Sequence, residues 1–143
     1  MAGDIVLGFD GSEGSKAALP VAVRVAKAFD ATLAIVFGYE PNPMGGETRD
    51  YELKLQEIGQ GVIKDALDHA KSLDPTVTVE PLVVALRPVE SLLAAADDRD
   101  ARVIVVGGAG ERPIMGAILG STPHKLLHRS RVPVLVVPVA EDD

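Results

Sequence analysis

Two short stretches of this chain combine residue types that can hold an anion. The first runs from Val106 to Thr122, with glycines spaced Gly-x2-Gly-x9-Gly-Ser at Gly107, Gly110, Gly120 and Ser121. Glycine lets backbone N–H groups approach an anion with no Cβ in the way. Gly120-Ser121-Thr122 leads straight into a predicted helix, with Thr122 as cap and Pro123 as first residue. The free N–H groups and dipole of a helix start favour phosphate, so loop and helix form two walls of a phosphate cradle. The second stretch is Asp10-Gly11-Ser12, which supplies turn and cap chemistry directly after the apolar run Ile5–Phe9. The spacing is not a Walker loop, which needs Gly-Lys-Ser/Thr. It is also not a compact Gly-x-Gly-x-x-Gly after the first strand.

Charge supports an anion site only in part. The chain of 143 residues carries 14 Lys+Arg against 21 Asp+Glu, net −7, which argues against a general nucleic-acid binder. Residues 101–140 hold five cations and one carboxylate, net +4, so the remainder carries −11. Arg129 and Arg131 lie toward the far end of the last helix, however. Backbone N–H groups, helped by Arg112, must then carry the phosphates.

Catalytic sets are missing. With no cysteine there is no thiolate nucleophile, disulfide or Cys-ligated metal. No Gly-x-Ser-x-Gly elbow occurs, and no candidate base accompanies Asp10 or Ser121, so the expected activity is at most slow ATP hydrolysis or autophosphorylation. His124 and His128 stand at i, i+4 on the last helix, a spacing that suits a metal pair. No third ligand is evident, and Lys125 and Arg129 crowd that face, so the pair reads as ordinary surface. Asp97, Asp98 and Asp100 read as a solvated helix end, and residues 141–143 as a short acidic tail.

The elements that must position these residues follow from periodicity. Apolar runs at Ile5–Phe9, Thr32–Tyr39, Val77–Val84, Val103–Val106 and Val134–Val137 predict five strands. Helical spacing predicts four helices between them: one after Ser12, one over roughly Asp50–Ser72, one from Arg87-Pro88 through Ala96, and one from Thr122. Pro20 lies inside the first, predicting a bend there or a helix regular only after it. Aromatic residues are only 3% of the chain, so the core is aliphatic, as in parallel sheets covered on both faces. Alternating strands and helices predict an α/β fold, an open parallel sheet with right-handed crossovers. Pro81 in the third strand, and Pro133 and Pro138 around the fifth, push those two to the edges. The order 3-2-1-4-5 satisfies this and places a ligand crevice between the first and fourth strands, at their carboxyl ends. No run approaches the ~18 residues of a membrane span, and no basic leader precedes the first strand. The expectation is one cytoplasmic domain over residues 1–140.

The glycine spacing, the opening Val6-Leu-Gly-Phe-Asp10-Gly-Ser12 and the closing Val132-Pro-Val-Leu-Val-Val137 together resemble the universal stress protein family, in particular its ATP-binding branch. The resemblance covers almost the whole chain. It implies the same Rossmann-like sheet, a bound ATP or related adenine nucleotide, a role as stress-response regulator, and a homodimer paired through the last strand (132–138). It implies that Phe9, Gly38 and Val106 lie at or beside the adenine, and that Gly107 and Gly110 line the ribose and phosphate path. It also implies that Gly120, Ser121 and Thr122 hold phosphates and that Asp10 faces the ribose and a nucleotide-bound Mg²⁺. Gly38 stands where members commonly have an aliphatic residue, which implies looser packing around the base. Glu111-Arg112-Pro113 replaces a commonly basic stretch, which leaves AMP or cyclic AMP as alternatives to ATP, and a nucleotide-free interaction module as a third.

Overall fold

A computed structural model describes residues 3–40, 48–108 and 121–139. Five strands, β1 (Ile5–Gly8), β2 (Leu33–Gly38), β3 (Val79–Val84), β4 (Val103–Gly107) and β5 (Val134–Val137), alternate with four helices. These are α1 (Glu13–Phe29), α2 (Thr48–Leu73), α3 (Pro88–Asp98) and α4 (Ser121–Arg129). All pairings are parallel, in the order β3-β2-β1-β4-β5. The proline argument therefore places both edges correctly: Pro81 sits on β3, paired on one side only, opposite Ile35.

The period-two rule decides which side chains face which layer. Ile5, Leu7, Leu33, Ile35 and Val105 face α1 and α2, where they meet Ala18, Leu19, Ala22, Ile63 and Ala66. Val6, Ala34, Val36, Ile104 and Val106 face α3 and α4, where they meet Val89, Leu92, Ala96 and Leu126. The central strand β1 is fully buried at Ile5, Val6 and Leu7, each residue stabilising the fold by about 1.5–3 kcal/mol. Among the described residues no helix is long and apolar enough to cross a membrane.

Two helix starts differ from the sequence expectation. α1 begins at Glu13, well before Pro20. The Ser12 cap and the buried row Gly14, Ser15, Ala18 and Leu19 hold its first turns. Lys16, whose carbonyl loses a partner to Pro20, lies exposed, where water can serve it. α4 begins at Ser121, so Thr122 lies inside the first turn and is not the cap. Pro123 is still tolerated there, because first-turn N–H groups have no intrahelical acceptor.

Candidate functional site

The β1–α1 connection is built by its own side chains. Gly11 takes φ +85°, a left-handed conformation that glycine adopts without strain. The Asp10 carboxylate accepts the Ser12 N–H at 2.9 Å, closing an Asx turn. Ser12 caps α1: its Oγ accepts the Ser15 N–H at 3.3 Å, and its carbonyl accepts the Ser15 hydroxyl at 3.0 Å. Partial burial pushes the Asp10 pKa upward, but the hydroxyl and N–H of Ser12 outweigh it, and the net effect holds the group below the ordinary carboxylate value. Asp10 is thus an anion at neutral pH, at the mouth of the crevice.

Beneath that turn the strand ends part, and a cavity of about 250 Å³ opens, at the small end for a ligand pocket. Gly8, Val36, Gly38, Pro88, Leu92, Val106 and Pro123 line its mainly apolar part, on the α3–α4 side of the sheet. Asp10, Ser12, Gly14, Ser15, Gly107, Gly108 and Thr122 line the remainder. Six of the expected site residues, Phe9, Asp10, Gly38, Val106, Gly107 and Thr122, therefore converge on one cavity at the β1/β4 reversal point. Phe9 is 6% exposed and packs in the α1–α2 core, so its ring faces away from the apolar part. Ser121 opens α4. Gly110, Arg112 and Gly120 lie outside the described residues.

Two glycines serve packing as well as access. A Cβ on Gly107 would collide with the Gly14 carbonyl and come within 2.6 Å of its Cα. The end of β4 thus touches the first turn of α1 backbone to backbone. Gly14 escaped the sequence reading, although a glycine in a helix's first turn signals such an approach. A Cβ on Gly38 would collide with the Ser91 hydroxyl and come within 2.8 Å of the Leu86 carbonyl oxygen. The missing side chain therefore creates no loose space: buried Ser91, held by a 2.7 Å bond to the Pro88 carbonyl, already fills it. Nor is every glycine N–H free for an anion, since Gly108 donates to Val137 of β5 at 2.7 Å.

This sheet order, with a cavity at its reversal point, has counterparts among known proteins. The model of the universal stress protein family matches residues 1–138. The chain belongs to the universal stress protein family. A family member from Mycobacterium tuberculosis is 33% identical over 138 residues, spanning 93% of this chain and 94% of the relative. One from Thermus aquaticus is 33% identical over 136 residues, spanning 93% and 96%. Among solved structures, a universal stress protein in complex with cAMP is 32% identical, with TM-score 0.72, covering 98% of this chain and 100% of that one. A universal stress protein from Archaeoglobus fulgidus shares the fold at TM-score 0.76 and 22% identity, covering 96% of this chain and 99% of its own.

Proposed function

We propose that the crevice binds an adenine nucleotide and that the chain works as a nucleotide-dependent regulator, with ATP the ligand the Gly-x2-Gly-x9-Gly-Ser spacing points to. The observation that carries this reading is the composition of the cavity. Its apolar part suits a flat base, and its polar mouth, with the first turn of α4 beside it, suits sugar and phosphate. Gly107, Gly110 and Gly120 then supply close backbone approach, Ser121 and Thr122 the helix start, and Arg112 the cation.

A second ligand, cyclic AMP, is favoured by a specific observation. Asp10 is the one charged residue lining the cavity among the described residues, and it is ionised. A ligand with a single negative charge meets less repulsion there than a triphosphate does, unless Mg²⁺ intervenes at Asp10. The relative solved with cAMP, at 32% identity, supports the same reading. Mass spectrometry of nucleotide released from the denatured protein, with competition calorimetry among ATP, AMP and cyclic AMP, tests both. Absence of binding at millimolar concentration would overturn the nucleotide reading. ATP binding tightest without Mg²⁺ would overturn the preference for cyclic AMP.

The regulator reading includes a homodimer through 132–138. The position of β5 at the sheet edge supports it, as do Leu135 and Leu127, 37% and 52% exposed. Leu135→Lys, a charge of the kind that blocks edge pairing, should then give a monomer in light scattering.

A further inference from the structure

The chain has three histidines, His69, His124 and His128. The last two lie one turn apart on α4, both exposed, with ring centroids 4.8 Å apart and planes at 73°. Neither ring is held by a hydrogen bond among the described residues, so each is free to turn about its Cβ–Cγ bond. The spacing alone set this pair aside because Arg129 crowds it and no third ligand is evident. The structure changes the first point. Arg129 reaches across to α3, its Nη1 2.7 Å from the Glu90 carboxylate, so its charge is paired and directed at the neighbouring helix. The second point does not exclude an open site, in which water completes the coordination shell.

We propose that His124 and His128 form a two-point chelate for a borderline divalent transition ion, of the class Cu²⁺, Ni²⁺ or Zn²⁺. Imidazole nitrogen suits these ions, whereas Mg²⁺ and Ca²⁺ take oxygen ligands. Side chains four residues apart on a helix lie one above the other, so each ring offers one nitrogen to a common ion without moving the backbone. The same helix begins with Thr122 and Pro123 at the crevice, so a chelated ion would stiffen the turn behind that wall. The proposal stands independently of any nucleotide.

The test uses the untagged full chain, with Zn²⁺ titrated by calorimetry and Cu²⁺ followed by electron paramagnetic resonance. The expected result is one ion per chain with two nitrogen ligands, unaffected by excess Mg²⁺. His124→Ala and His128→Ala should each weaken binding on the order of tenfold or more, because a two-point attachment becomes one. His69→Ala, on exposed α2, should change nothing. All three positions are exposed, so folding is not at risk. No binding by the wild-type chain, an unchanged affinity in either helix α4 variant, or an equal loss in His69→Ala would overturn the chelate.

Discussion

The two ends of one sheet are closed by different chemistry. At the amino ends of the strands, side chains do the work. Arg99 bridges Asp4 at 2.8 Å and Glu80 at 2.6 Å, tying the start of β1 to edge strand β3 and the end of α3. Arg102 lies 5.0 Å from the centroid of the Phe29 ring, and Lys27 reaches Thr76 at 2.7 Å. At the carboxyl ends, side chains withdraw. Gly8, Gly38, Gly107 and Gly108 line the cavity, and Gly107 meets Gly14 through bare backbone. The contrast separates what holds the fold from what leaves room for a ligand. It also shows that the open end is constrained: its space comes from atoms that are absent, and adding them back costs stability as well as access.

The largest effect should come from returning a side chain to the tightest contact. Gly107→Val drives its side chain into the backbone of Gly14, and should cost about 2 kcal/mol or more in urea unfolding while abolishing nucleotide binding. Gly38→Ala comes next, at about 1–2 kcal/mol, because Ser91 and the Leu86 carbonyl already hold that space. Adding Ser91→Gly should recover only part of the loss, since the Leu86 carbonyl stays in place. At the opposite end, Arg99→Ala should cost about 1 kcal/mol, the order expected of an ion pair that is largely but not fully shielded, and leave nucleotide affinity unchanged. A drop in affinity there would break the division between the two ends.

The smallest effect is expected at Asp10. Its folded pKa lies below the ordinary value of 3.8, so the ionised group stabilises the fold at neutral pH. That contribution is fully present above the unfolded value and disappears as pH falls through the folded one. Asp10→Asn should therefore lower stability slightly at pH 7, and the gap from the wild-type chain should close in acid unfolding series. The same substitution should shift preference toward ligands of higher negative charge.

Much of the carboxyl end was legible in advance, because position along a strand decides it. Asp10, Gly38, Val106 and Gly107 stand where β1, β2 and β4 end, and proline at the two edge strands settles which strands are central. Contacts between residues remote in sequence were not legible. Nothing local in the chain shows that Gly14 touches Gly107, or that Ser91 fills the space beside Gly38, so Gly38 read as slack where the structure has close packing. The start of α1 was missed for a related reason. Proline's lost hydrogen bond is a local penalty, whereas the buried face that outweighs it is tertiary. The histidine pair shows the same limit, since the partner of Arg129 lies on another helix.

The most direct test of the crevice as a nucleotide site is a ¹H–¹⁵N correlation titration of the assigned chain with cyclic AMP and with ATP. The account predicts shifts concentrated at Gly8, Asp10, Gly38, Val106 and Gly107, with Asp4, Glu80 and Arg99 at the other end unmoved. Shifts centred on that other end, or none at millimolar nucleotide, would contradict it.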